Sequence, residues 1–236
     1  MTHVVHPYAQ RLGIIRDWKS RWFTNGKKKY QEYVRTDDAA RTVISKKLKG
    51  MSIASVEIER DDKVYRIIIQ TSRPGLVIGR SGEGAQQLKK DIDQLMRTLK
   101  LTEKPELKID IEEIRSPESN AAIVAQMVGE GLEKRMPFRR VLKQTAEKVM
   151  ANRDVKGVRI LVGGRLGGAD MARREQIKKG QIPLQTLRAD IDFARERAVL
   201  PYGTIGIKVW IYRGEVFTDR KAGAEDTPAR TNPNAR

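Results

Sequence analysis

Gly79 and Gly82 bracket Arg80 and Ser81. With no Cβ at either end, the main chain of such a tetrapeptide can press closely against a phosphate. A helix that follows the loop turns its first amides toward whatever lies there and favours an anion, and Arg80 adds a full positive charge. Read without its surroundings, the same tetrapeptide is a tight turn between two helices. Arg139 and Lys143 form a second cationic group, four residues apart on one helix face with Arg140 beside them, while Leu142, Ala146, Val149 and Met150 turn toward a core. That pattern alone describes a solvated face. Near the start, Trp18, Lys19, Arg21, Trp22, Phe23 and Lys27 to Lys29 interleave rings with cations. Such a run can stack on exposed bases and meet phosphates, or its tryptophans can be core; both readings stand.

Catalytic constellations are harder to assemble. Gly163-Gly164-Arg165-Leu166-Gly167-Gly168 lacks the lysine and hydroxyl of a nucleotide-binding loop and reads as a strand-to-turn link. An RNA contact through Arg165 and a purely structural turn are both open there. Cysteine is absent, and His3 and His6 are the only imidazoles, near an N-terminus expected to be mobile. A Ser-His-Asp triad would have to recruit that end. Glu112 and Glu113 are spaced like ordinary strand residues, and Asp190 and Asp192 share a face with Arg188, as a structural ion pair would. No metal, cofactor or small-molecule substrate is predicted, and a nuclease would need clustered carboxylates to hold its metal.

The balance of charge points to a polyanionic partner. Lys and Arg total 47 against 30 Asp and Glu, a net charge of +17. Each neutralised phosphate releases condensed counterions, so such a chain gains salt-dependent affinity for nucleic acid. An anionic membrane would usually call for a basic amphipathic helix with bulky apolar residues, which is not evident. Apolar runs are too short to span a bilayer, no signal peptide opens the chain, and a cytoplasmic protein is expected.

The elements that must carry these groups follow from periodicity. A helix is predicted from about Asp37, with two acidic residues at its positive end and Gly50 after its last turn. Strands are predicted over Ser52 to Glu59 and Lys63 to Thr71, joined by an acidic turn. A short helix, the glycine loop and a helix with Ala85, Leu88, Ile92, Leu95 and Leu99 on one stripe come next, then a strand through Leu107, Ile109 and Ile111. A second unit opens near Pro117 with a helix to about Lys134 and another from Phe138 to Met150. Strands follow at Val158 to Val162, Ala189 to Phe193 and Ile205 to Ile211, with Pro201-Tyr202-Gly203 turning between the last two. Helices followed by strands indicate an α+β layer, and the tail beyond Asp219 reads as disordered.

Taken in order, residues from about Asp37 to Ile111, with the loop sequence VIGRSGEGAQQL, resemble a type II KH domain, in which GxxG clamps an RNA backbone. Phe138-Arg139-Arg140 with Lys143, Gly164 to Ala169, Leu187 to Asp192 and Val209-Trp210-Ile211 extend the similarity to the family of bacterial small-subunit ribosomal protein three, over roughly Arg11 to Val216. The resemblance implies an α+β chain: an arm over 1–16, a KH domain with a mixed sheet and helices on one face over 17–113, an α+β domain over 114–217, and a tail over 218–236. It implies a non-enzymatic ribosomal component. RNA contacts are expected at Gly79, Arg80, Ser81, Gly82, Arg165, Lys19, Arg21 and Trp22. Arg139, Arg140 and Lys143 match the basic helix that faces the path by which messenger RNA reaches the subunit. Implied partners are small-subunit ribosomal RNA, messenger RNA, small-subunit proteins ten and fourteen, and proteins four and five. The opening residues keep His6-Pro7 but lack the family's usual Gly-Gln-Lys, so no contacts are carried onto them. A free KH regulator of messages and a phosphate-processing enzyme are the rival readings.

Overall fold

The computed structural model describes residues 5–61, 63–99 and 105–217. The predicted tail over 218–236, His3, and the break at Lys104 lie outside the described residues.

The N-terminal unit is a four-stranded mixed sheet covered on one face by helices. Its elements are β1 (Ser20–Arg21), α2 (Lys27–Lys47), β2 (Ile53–Arg60), β3 (Val64–Thr71), α3 (Pro74–Ile78), α4 (Glu83–Thr98) and β4 (Glu106–Glu113), preceded by a single-turn helix α1 (Pro7–Gln10). Strands lie in the order β1-β2-β3-β4, with β2 and β3 an antiparallel hairpin and β4 parallel to β3. Parallel pairing needs a crossover, and α3 and α4 supply it. Tyr65, Ile67 and Ile69 of β3 alternate inward to meet Ile44 of α2 and Leu88 and Ile92 of α4.

Helix α2 begins at Lys27, not near Asp37. The acidic residue does not greet the positive end of a helix; it is buried in the middle of one. Asp37 accepts hydrogen bonds from the Trp22 indole (2.8 Å), Tyr65 hydroxyl (3.2 Å) and Arg60 guanidinium (3.2 Å). Arg60 also lies over the rings of Tyr33 and Tyr65. A buried charge tied to that many donors would cost about 3–5 kcal/mol to strand.

The C-terminal unit packs α5 (Ala121–Glu133) and α6 (Phe138–Met150) on one face of an antiparallel sheet. Its strands are β5 (Gly157–Gly164), β6 (Arg173–Gly180), β7 (Ala189–Leu200) and β8 (Gly203–Glu215), in the order β6-β5-β8-β7. Val158, Ile160 and Val162 of β5 and Ile205, Ile207, Val209 and Ile211 of β8 face Val128, Leu132, Leu142 and Ala146. Helix α6 has the predicted bounds. Helix α5 starts later than Pro117, because residues 117–119 form a 3-10 turn and the Asn120 side chain caps Ala122 (3.0 Å). The edge strand β6, of sequence RREQIKKG, has no apolar alternation and was not foreseen. Strand β7 continues past Phe193 to Leu200 before the expected turn.

The arm does not behave as a mobile end over the described residues. Arg11 is fully buried, and its guanidinium donates to the carbonyls of Pro7 (3.0 Å), Leu184 (3.0 Å), Thr186 (2.9 Å) and Ala189 (2.6 Å). His6 caps α1, its Nδ1 accepting from Ala9 N–H (3.4 Å), and its ring packs edge-on against Phe193. Asp190 and Asp192 of β7 are indeed ion-paired, but with other partners than expected. Asp190 meets Arg16 and Asp192 meets Arg213 (3.1 Å), whereas Arg188 reaches Glu215 (2.7 Å). A bulge between Asp190 and Ile191 breaks the strict alternation on which the Arg188 pairing rested. The two units touch where Gln126 of α5 donates to the Ile53 carbonyl of β2 (2.9 Å).

Candidate nucleic-acid interface

At the glycine loop, the chain leaves α3 at Gly79 (φ 73°), passes through Ser81 (φ 53°) and Gly82 (φ 80°), and enters α4. Positive φ at both glycines is the reason for their type, since a side chain there would be strained. Gly82 caps α4 without a side chain; the Glu83 N–H turns back to the Arg80 carbonyl, and no side chain stands between the loop and the start of the helix. Arg80 and Ser81 are exposed. A third glycine, missed as a requirement, holds the loop down. A Cβ on Gly84 would lie 2.6 Å from the Val77 carbonyl oxygen, so α4 can pass this close to α3 only with glycine there. The signal was in the sequence as the Gly at the second step after Gly82. Val77 points into the core while Leu76 and Ile78 stay exposed, giving the loop an apolar shoulder.

Helix α6 has the opposite electrostatics from a stable surface helix. Its N-cap is Pro137 with no side-chain cap, and its first turn holds no acid. Arg139 and Arg140 occupy that turn, Lys134 and Arg135 precede it, and Lys143 follows one turn on, all exposed. Cations at a helix N-terminus are each unfavourable by roughly 0.3–1 kcal/mol unless an anion joins them. Among the described residues, only Arg139 of these five has a carboxylate partner, Glu175 of β6, at 3.2 Å, which lowers the Glu175 pKa and raises that of Arg139. The Arg139 and Arg173 guanidiniums both lie near the Phe138 ring. The structure therefore brings Arg139, Arg140 and Lys143 together on one exposed surface.

The remaining predicted positions are scattered and mostly engaged. Trp22 is half-buried, its N–H held by Asp37 and its ring edge-on to Tyr30 and Tyr33, which favours core over stacking. Trp18 and Phe23 are the exposed rings of that segment, at 63% and 85% accessibility. Arg21 is drawn to Glu57 and Glu59. Lys19 is exposed, with its ammonium above the Tyr8 ring. Arg165 turns back on its own loop, donating to the carbonyls of Ala169 (3.0 Å) and Tyr202 (3.2 Å), so the hydrogen bonds favour the structural turn. Among the described residues, no cluster of three or more His, Cys, Asp or Glu is arranged to hold a metal ion, and no helix is long and apolar enough to cross a membrane.

Comparison with known proteins agrees with this division. Residues 40–119 match the profile of the KH domain, and residues 128–211 match that of "Ribosomal protein S3, C-terminal domain". The small ribosomal subunit protein uS3 of Caldicellulosiruptor bescii is 45% identical over 225 residues, 95% of this chain and 98% of that protein. Its counterpart in Clostridium novyi is 42% identical over 226 residues, 96% of this chain and 99% of that protein. That of Ectopseudomonas mendocina is 43% identical over 220 residues, 93% of this chain and 92% of that protein. With both units matched by their profiles and nearly the whole length shared with these relatives, the chain belongs to the family of small ribosomal subunit protein uS3.

Proposed function

We propose that the chain is a structural, non-enzymatic constituent of the small ribosomal subunit that binds ribosomal RNA and holds messenger RNA along α6 as it enters. The observation that carries this reading is the uncapped, acid-free start of α6 with Arg139, Arg140 and Lys143 exposed around it. Such an arrangement repels itself until phosphates arrive. Single-stranded phosphates gripped there shift an RNA helix toward its open form, because only a difference in affinity between the two states moves that equilibrium, and no nucleotide hydrolysis is needed. The Gly79 to Gly82 loop offers the exposed Arg80 and a helix start with no side-chain cap to an RNA backbone, so ribosomal RNA is its natural occupant. Small-subunit proteins ten and fourteen, and proteins four and five beside the incoming message, are the neighbours this reading implies.

Two variants measured in one RNA titration test it. Replacing Arg139, Arg140 and Lys143 by alanine should reduce the slope of log affinity against log salt by roughly one unit per lost contact. R80D/S81D should weaken binding while its thermal midpoint stays near wild type, since Ser81 occupies a left-handed conformation that Asp tolerates. Unchanged slope and affinity in both variants would refute the assignment.

A further inference from the structure

The two sheets treat their uncovered faces differently. On the KH sheet, cations are neutralised in place: Arg21 meets Glu57, and Arg66 meets Asp110 and Glu59. On the C-terminal sheet, the face away from α5 and α6 can be read rung by rung from the strand register. One rung carries Arg174, Gly163, Gly206 and Arg197; the next carries Gln176, Leu161, Lys208 and Arg195; the third carries Lys178, Arg159, Trp210 and Phe193. No carboxylate stands on any of these rungs. Arg159 hydrogen-bonds Gln176, and none of Arg174, Arg195, Arg197, Lys178 or Lys208 has an ion-pair partner among the described residues. Successive rungs recur at roughly 6.7 Å, twice the rise of a strand residue. The face is a groove of about 1070 Å³, bounded at one side by Val5, His6 and Pro7 of the docked arm.

We propose that this open sheet face is a second RNA-binding surface, taking the sugar-phosphate backbone of an RNA segment across Gly163 and Gly206 between Arg174 and Arg197. Two observations select RNA over an acidic protein segment. The paired glycines place no side chain of their own at the centre: Gly206 is open, and Gly163 is met only by the flexible Arg174 side chain, 3.3 Å from where its Cβ would lie, so another backbone can approach as Arg174 swings onto a phosphate. The aromatic rings that could anchor a protein partner are already covered, with Arg159 over Trp210 at 4.9 Å and Arg195 over Phe193 at 5.4 Å. What is left is a field of cations in which guanidinium groups outnumber Glu196, the one carboxylate among the described residues that line the groove, and their planar fork suits phosphate oxygens. Trp210 is 5% exposed, so bases do not stack there, and recognition is of backbone and independent of sequence. The site is separate from α6, which lies on the opposite side of the same sheet.

This inference rests on the chain being an RNA-binding protein, and the test separates the two. Full-length wild type and R174Q/R195Q/R197Q/K208Q are titrated with a labelled hairpin RNA over a range of salt. The variant should lose about three units of slope, four contacts at roughly 0.7–0.9 each. G206E is the second variant: its side chain projects from a position whose nearest neighbour, the Gly163 carbonyl oxygen, is an ordinary 3.8 Å away, so the fold tolerates it. It should weaken RNA binding at least tenfold with an unshifted thermal midpoint. If wild type binds RNA and both variants match it in slope and affinity, this face is not an RNA site. Loss of binding to an acidic polypeptide, with RNA binding intact, would reassign it to a protein partner. Wild type that ignores RNA even in dilute buffer would overturn the RNA reading as a whole.

Discussion

At the scale of single residues, a cation's role is decided by what stands beside it. Arg60 is structural because Asp37 and two tyrosine rings enclose it, and Arg11 because four carbonyls do. Arg139 is intermediate, exposed on a basic helix yet tethered to Glu175. An exposed pair of this kind contributes little stability, about 0–1 kcal/mol. Its larger effect is competition, since Arg139 must leave the carboxylate to grip a phosphate. E175Q should therefore tighten RNA binding severalfold with a thermal midpoint near wild type; weaker or equal binding would show that Arg139 does not meet RNA. The sequence placed Gly79 to Gly82, Arg139, Arg140 and Lys143 where the exposed surfaces are, because glycine spacing and helical periodicity are local properties. It could not place Trp22 or Arg165, whose partners Asp37 and Tyr202 are brought to them only by the folded chain.

Among the elements, those legible from sequence have one apolar face to bury. Helix α6, strand β8 and the β2–β3 hairpin met that condition and were found. Strand β6 is polar but for Ile177, which packs against the core, because it is an edge, where charge also discourages pairing with other chains. The first turns of α2 are basic and exposed, so periodicity began only where its buried residues begin, at Thr36 and Asp37. The arm was unreadable for another reason: Arg11 looks like a surface residue until the carbonyls of the 184–189 segment converge on it. Its docking gives a pH dependence. Burial, with Arg195 and Lys19 nearby, holds His6 below its usual value of 6.5. The folded chain then binds fewer protons than the unfolded chain, so this contribution is present above pH 6.5 and fades as the pH falls through that value toward the folded pKa. The thermal midpoint should drop between about pH 7.5 and 5.5, and H6N, which keeps a helix cap but cannot titrate, should reduce that drop. An identical pH profile in H6N would detach the arm from the effect.

Across the whole molecule, two four-stranded sheets carry their charge in contrasting ways. The KH sheet cancels it, and under the proposed function the glycine loop is that unit's opening to RNA. The C-terminal unit leaves cations uncancelled on both sides, at the start of α6 and on the rungs of the open sheet. Among the described residues, cations without a carboxylate partner thus gather at the start of α6 and on the open sheet face, whereas those of the KH sheet are paired. The most direct test of that sorting is RNA–protein cross-linking, read residue by residue by mass spectrometry, in small subunits loaded with message. Cross-links should concentrate at Arg80, Arg140, Lys143, Arg174, Arg195 and Arg197. Cross-links clustered instead at Arg21 and Arg66, with those six positions silent, would contradict the account.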